Sequence, residues 1–157
     1  MAERRRWVLL SYRIPREPST PRISVWRKLR QLGAAQVVDG LVALPADRRT
    51  REQFEWLAEA VREAAGEAWV WESSLTSAAQ ERALMANMNR SVSDEYKELI
   101  ALARRARGDD PSSRRRTLAR LRRRLRGVAA RDYFGSLDKE PALKAIERLG
   151  AGVEVNA

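Results

Sequence analysis

Residues 34–45, AAQVVDGLVALP, consist of two short apolar segments joined by Asp39-Gly40. This dipeptide favours a two-residue hairpin, because a type I′ turn needs positive φ at both of its central residues. We therefore predict two adjacent antiparallel strands here. The segments on either side decide which kind of sheet these strands join.

The segment before the hairpin predicts one strand and one helix. Residues 6–14, RWVLLSYRI, are rich in residues that favour strands. A helix is then predicted with Thr20 as its N-cap, Pro21 at its first position and Gly33 at its end. The apolar residues of this helix recur at near-helical spacing, so we place Trp26 in the core between the helix and the sheet.

The segment after the hairpin predicts a second helix and a fourth strand. A capping box from Thr50 to Gln53 precedes an apolar stripe, and Gly66 ends the helix. Residues 67–73, EAWVWES, are predicted to form the strand. The order βαββαβ over residues 1–75 is that of a ferredoxin-like split βαβ domain, an antiparallel sheet with both helices on one face. The predicted fold class is α+β.

Residues 76–157 are predicted to form a helical extension. Apolar residues recur every three or four positions from Leu84 to Leu99, which indicates one long helix or two helices joined near NRSVSDEY. After the break RGDDPSS comes an arginine-rich helix with a leucine stripe, and then a short last helix. The tail AGVEVNA is interpreted as a strand or a frayed end.

The composition excludes several kinds of active site. The chain has no cysteine and no histidine, which removes disulfides, zinc sites, thiol nucleophiles and histidine bases. Carboxylates around a hard metal such as magnesium are the remaining option. We therefore expect no enzyme, no catalytic or metal-binding residues and no cofactor. The apolar stretch near the N-terminus is too short for a signal peptide, and no run approaches the ~20 residues of a membrane helix, so we expect a cytoplasmic protein.

Positive charge is concentrated in one segment. The formal net charge is +10, and residues 101–131 contain twelve arginines and two acids, a difference of ten that equals the whole excess. Such asymmetry favours a polyanionic partner. Arginine also suits bidentate contacts to phosphate. The candidate nucleic-acid-binding residues are Arg114, Arg115, Arg116, Arg120, Arg122, Arg123, Arg124 and Arg126. The alternative is that these arginines pair with acids of a neighbouring helix or are simply solvated.

Three tryptophans are candidates for an interface. Trp69 and Trp71 point to one side of the fourth strand, where aromatic side chains could stack RNA bases, as in RNA-recognition modules. The alternative, which we favour, is that this face packs on a partner subunit or on the C-terminal helices. Trp56 is out of phase with the apolar stripe of its helix. We expect a homodimer with one or more of these tryptophans near the contact.

The loop after the first strand is a candidate oxyanion site. It contains Arg13 and Arg16 and leads into the N-terminus of a helix, where free N–H groups and the helix dipole favour an anion. Sulfate or chromate would be a suitable ligand. The alternative is that Pro15 and Pro18 stiffen a connection and that the cations are incidental.

Four segments resemble the N-terminal domain of the chromate-resistance regulator family, ChrB. They are LLSYRIPREPSTPRISVWRKLRQLGA, LPADRRTREQFEWLAEAVREAAGEAWVWES, DEYKEL and ARDYFGS. The opening strand-proline-helix pattern is also similar to the C-terminal region of PaaX-type repressors and, more distantly, to ferredoxin-like CRISPR adaptation nucleases. Those nucleases hold a metal with an aspartate at the end of the first strand, where this chain has Tyr12-Arg13.

The resemblance implies a cytoplasmic transcription regulator that binds DNA and controls chromate-transporter genes in response to chromate. The residues themselves indicate only a polyanion-binding protein. An RNA-binding protein, a carboxylate-metal nuclease and a pure assembly module are the alternatives.

Overall fold

A four-stranded antiparallel sheet forms the first part of the chain. The structure is a computed structural model that describes residues 3–155. The strands are β1 (Trp7–Arg13), β2 (Ala35–Val38), β3 (Leu41–Pro45) and β4 (Glu67–Ser73). Their order in the sheet is β2-β3-β1-β4, and each neighbouring pair is antiparallel. With α1 (Ser19–Leu32) after β1 and α2 (Arg48–Glu63) after β3, this is the ferredoxin-like arrangement, so the predicted fold class is confirmed.

One face of the sheet forms the core of this first part of the chain with the helices that pack on it. Val8 and Leu10 of β1 lie opposite Leu44 and Val42 of β3, and all four are buried. Helix α2 packs against β1 and β4, and α1 packs beside α2. Because side chains alternate along a strand, the next residues of each strand point to the other face.

Helix α1 differs from the sequence prediction at its start and in its buried face. Its N-cap is Pro18, so Thr20 lies inside the first turn and the predicted cap is wrong. Its end is as predicted, with Gly33 at a φ of 71°. The buried residues are Val25, Leu29 and Leu32. Trp26 is 55% exposed, so its assignment to the core is wrong: at 100° per residue it lies a quarter turn from Val25.

The hairpin is present, but its turn is not of the predicted type. Gly40 has a φ of 73°, whereas Ala65 is the only non-glycine residue with positive φ in the described part of the chain, which excludes Asp39. A type I′ turn needs both. The Gly40 carbonyl accepts a hydrogen bond from the Tyr12 N–H at 2.8 Å. A Cβ on Gly40 would lie 2.7 Å from the Tyr12 carbonyl oxygen, so a side chain there would clash with β1.

Helix α2 begins with a capping box one turn earlier than predicted. Asp47 is the N-cap: its Oδ1 accepts from the Thr50 N–H at 2.7 Å, and the Asp47 N–H donates to Thr50 Oγ1 at 3.0 Å. Thr50 is therefore at the N3 position of the capping box and not at its N-cap. The box predicted from Thr50 to Gln53 is wrong. The buried Thr50 hydroxyl also donates to the Pro45 carbonyl at 2.7 Å, which ties the helix start to the end of β3.

Three helices follow the sheet. Contacts divide the chain after Met85 into a first unit and a second unit, Ala86–Ala157. Helix α3 (Ala78–Ala106) is continuous, and α4 (Pro111–Ala130) and α5 (Lys139–Glu154) complete the second unit. Residues 151–154 continue α5 instead of forming the strand considered for the tail, whose last two residues lie outside the described part. None of the described helices has the length and apolarity needed to cross a bilayer.

The second unit has its own hydrophobic core, to which all three helices contribute. The buried residues are Val92, Tyr96, Leu99, Ala103 and Ala106 from α3, Leu118, Leu121 and Val128 from α4, and Ala142, Ala145, Ile146 and Leu149 from α5.

Candidate nucleic-acid interface

Helix α4 starts at a defined cap. Asp110 is its N-cap, with Oδ1 accepting from the Ser113 N–H at 3.0 Å, and Pro111 occupies the first turn. Hydrogen bonds from Ser113, first from its side chain and then from its backbone, stabilise the charged carboxylate and lower the pKa of Asp110. The cap therefore fixes where the arginine-rich segment becomes helical.

Apolar residues fix which side of α4 faces solvent. Leu118, Leu121 and Val128 are buried and Leu125 is partly buried, so the predicted leucine stripe is confirmed. At 100° per residue these four cover less than a quarter of the circumference. The remaining arc carries most of the arginines, and residues 111–131 contain no acid.

Three of the eight candidate arginines are engaged within the protein. Arg114 lies one turn before Leu118 and donates from Nη1 to the Gly152 carbonyl at 3.0 Å. Arg116 donates to the hydroxyls of two serines in the first turn of α4. Arg124 Nη2 lies 2.9 Å from Glu98 Oε2 of α3. The Glu98 carboxylate offsets the charge of Arg124. The hydrogen bonds of Arg114 and Arg116 leave their charge but limit their freedom to turn towards a ligand on the exposed side of α4.

The other five form what we call the basic face. They are exposed and have no hydrogen-bonding or ion-pair partner within residues 3–155: Arg115, Arg120, Arg122, Arg123 and Arg126. Arg115, Arg122 and Arg126 fall within about 40° of one another around the helix and extend over roughly 16 Å along it. A line of cations of this length matches the spacing of several backbone phosphates, one per 3.4 Å of each DNA strand.

A polar network holds the end of α4 against α3. Arg131 donates from both Nη atoms to the Glu95 carboxylate, and the Tyr96 hydroxyl donates to Asp132 Oδ2 at 3.1 Å. Burial first, and then the Asp132 charge, raise the pKa of Tyr96. These residues belong to DEYKEL and ARDYFGS, so the structure brings two separate sequence motifs together in a packing role that the sequence did not reveal.

The tryptophans predicted at an interface are all on the surface of the first unit. Trp69 and Trp71 are 63% and 54% exposed, on the face of β4 opposite to buried Ala68. Their β1 partners are Ser11 and Leu9, and Trp71 Nε1 donates to Ser11 Oγ at 2.9 Å. Trp56 of α2 is 66% exposed. The structure thus leaves Trp69 and Trp71 side by side as an aromatic platform.

Helix α1 carries a groove that the sequence prediction missed. Tyr12, Arg22, Trp26 and Arg27 are among the residues that line this groove of about 600 Å³. Arg30 Cζ lies 4.9 Å from the centroid of the Trp26 ring, a cation–π contact. Burial raises the pKa of Tyr12, and the Arg22 charge opposes this. The signal available in the sequence was that α1 has four cations and no acid.

The two predicted oxyanion ligands have different surroundings. Arg13 Nη2 lies 3.0 Å from Glu67 Oε2, and both side chains are exposed. Arg16 is exposed in the loop between β1 and α1. The N-cap of α1, Pro18, offers no side-chain cap. Since the Glu67 carboxylate competes for Arg13, the attraction of this loop for an anion is reduced, and its oxyanion binding stays a prediction.

A ferredoxin-like domain followed by a basic helical unit is the class of protein that these features define. The family model described as Protein ChrB, N-terminal, matches residues 22–107. Protein ChrB of Cupriavidus metallidurans is 31% identical over 125 residues, which is 79% of this chain and 38% of that protein. The chain therefore belongs to the ChrB family through its N-terminal domain, as predicted. The match to the family model begins within the first turn of α1, includes α2 and α3, and ends before α4.

Proposed function

We propose that this chain is a DNA-binding regulator of chromate resistance that acts without catalysis in the cytoplasm. The observation that carries the proposal is the basic face of α4, five exposed arginines without a partner in the described part of the chain, on a segment without acids. Arginines that contact phosphates supply affinity that does not depend on sequence and weakens with salt.

Family membership supports the regulatory part of the proposal. The resemblance to ChrB implies control of chromate-transporter genes. The chain aligns with 38% of the length of its curated relative, so the activity of that whole protein is extended to this chain only as a proposal.

Absence of catalysis is the second part. The end of β1 carries Tyr12 and Arg13 where the similar nucleases have a metal-binding aspartate, and the chain has no histidine or cysteine to act as a base or nucleophile. We expect no hydrolysis of DNA or RNA with magnesium or manganese. A metal-dependent cleavage that survives repurification and disappears in Asp39→Asn or Asp47→Asn protein would contradict this.

Binding of single-stranded RNA is the second candidate function. The adjacent exposed rings of Trp69 and Trp71 favour it, because unstacked bases stack on aromatic side chains at ~1–3 kcal/mol per base. The two functions place the binding energy on different units, since the tryptophans are in the first unit and the basic face is in the second.

The discriminating experiment titrates duplex DNA, single-stranded RNA and heparin across salt with two variants. Arg115→Gln/Arg126→Gln protein tests the basic face, and Trp69→Ala/Trp71→Ala protein tests the platform. We expect the arginine variant to lose affinity for duplex DNA of any sequence and the tryptophan variant to retain it. Preference for RNA over duplex DNA that depends on the two tryptophans would replace the DNA proposal with the RNA one.

A further inference from the structure

A small cavity in the second unit is lined mainly by arginines. Its volume is about 190 Å³, and its lining residues are Arg107, Arg114, Arg148, Leu149 and Gly152. They come from the turn after α3, the first turns of α4 and the last turns of α5. No acidic residue is among them. We propose that this cavity binds a free tetrahedral dianion of the sulfate, hydrogen phosphate and chromate class.

Arg114 is held in place before any ligand arrives. Its Nη1 donates to the Gly152 carbonyl and its Nη2 to the Asp109 carbonyl, each at 3.0 Å. Its Nε is buried and has no hydrogen-bond partner in residues 3–155. A guanidinium fixed in this way loses little conformational freedom on binding. An anion drawn towards it would also offset the cost of an incompletely paired buried cation.

Arg107 and Arg148 supply the remaining charge. Both side chains are exposed, and neither has a hydrogen-bond or ion-pair partner in the described residues. A competing role for cations here is to offset the partial negative charge of helix C-termini, because α3 and α5 both end close by. Arg114 already donates to one carbonyl in the last turns of α5. The side chains of Arg107 and Arg148 make no hydrogen bond to a helix-terminal carbonyl in the described residues, so both remain available for a ligand. Their planar forks suit the oxygen pairs of a tetrahedral oxyanion.

Size selects the kind of ligand. At ~30 Å³ per water, the cavity has room for about six waters. It is smaller than the ~300–1,000 Å³ typical of sites for organic ligands and cofactors. A small inorganic ion therefore fits the volume better than a nucleotide, and three guanidinium groups favour a dianion over the single charge of a phosphodiester. This inference concerns a ligand other than DNA and does not rest on the proposed DNA binding.

Calorimetric titration of the full chain tests the site without nucleic acid. Sodium sulfate, phosphate and chromate are titrated at constant ionic strength into wild type, Arg107→Gln/Arg148→Gln, and the charge-matched control Arg48→Gln/Arg49→Gln on α2. We expect saturable binding in wild type and in the control, and at least a tenfold loss in the double variant. Arg148→Lys, which keeps the charge but not the fork, should bind with intermediate affinity.

Two results would overturn the assignment. The first is equal sulfate affinity in wild type and in Arg107→Gln/Arg148→Gln protein, with circular dichroism showing the same helix content. The second is absence of saturable binding of any of the three ions by wild type. If that second result came with weakened DNA binding in the double variant, Arg107 and Arg148 would instead belong to the nucleic-acid-binding surface.

Discussion

Removing the line of arginines on α4 should flatten the salt dependence of DNA binding. The variant is Arg115→Gln/Arg122→Gln/Arg126→Gln, which takes away three cations that lie within about 40° around the helix axis. All three side chains are exposed and have no partner in the described residues. Glutamine favours helix nearly as well as arginine, so we expect circular dichroism and the denaturation midpoint to stay close to wild type.

The magnitude follows from counterion release. Each phosphate neutralised on duplex DNA contributes about −0.9 to the slope of log K against log salt, so losing three contacts should change the slope by about 2.7. If all five arginines of the basic face engage phosphates, the wild-type slope is about −4.5 and the variant slope about −1.8. Between 50 and 200 mM salt, wild type would then lose affinity about 500-fold and the variant about 12-fold.

Fluorescence anisotropy with a labelled duplex across this salt range measures both slopes. The charge-matched control is Arg48→Gln/Arg49→Gln/Arg82→Gln, which removes three exposed cations from α2 and α3 and should keep the wild-type slope. Arg124→Gln should change the slope by less than the value of about 0.9 expected for one phosphate contact, because Glu98 already neutralises Arg124. Equal slopes of log K against log salt for wild type and the α4 variant would refute the reasoning. Loss of affinity for one DNA sequence alone would indicate base readout instead of phosphate contact.

Four further predictions concern assembly, stability, pH and the first loop. Wild type should sediment as a dimer at micromolar concentration and Trp69→Ala/Trp71→Ala protein as a monomer; a wild-type monomer at high micromolar concentration would count against the interface. Thr50→Val removes a cap acceptor and a buried donor, so urea denaturation should show a loss of about 1–2 kcal/mol. Folding lowers the pKa of Asp110, so the Asp110 carboxylate stabilises α4 above about pH 4. This stabilisation is lost as the pH falls through the lowered pKa of the folded protein. On acidification, the melting temperature of Asp110→Asn protein should therefore fall less than that of wild type. In the Arg107→Gln/Arg148→Gln background, Arg16→Gln should weaken the remaining chromate binding in calorimetry if the loop after β1 is an oxyanion site; unchanged remaining binding would leave the loop a structural connection.

Local signals in the sequence were sufficient for most of the fold. The hairpin at Asp39-Gly40, the end of α1 at Gly33 and the whole of β4 depend on nearby residues, and each was predicted. The capping box was placed one turn late because Asp47 serves as the cap and Thr50 closes the box, a reversal of the usual order of residue types. Trp26 was misplaced because residues three positions apart do not lie on the same side of a helix. Each such step turns about 300°, so apolar residues at this spacing move around the helix and away from its buried face.

The candidate site was predictable only as a segment. Composition identified α4 as basic, yet it could not show which arginines were free. The pair between Arg124 and Glu98 and the bonds from Arg114 to Gly152 and Asp109 join residues whose proximity depends on how the helices pack. The cavity around Arg107 and Arg148 has the same origin, since its lining comes from α4, α5 and the turn between α3 and α4.

The distribution of tryptophan makes the two units separately observable. All five indoles precede residue 86, and the second unit has tyrosine and phenylalanine as its aromatic residues. Trp7 is buried and its Nε1 donates to Glu81, whereas the other four are largely exposed. Indole emission during denaturation therefore follows the first unit, with Trp7 as the buried reporter, while the ellipticity of the long helices is weighted towards the second. Coincident transitions would show a single cooperative system, and separate ones would give each unit its own stability.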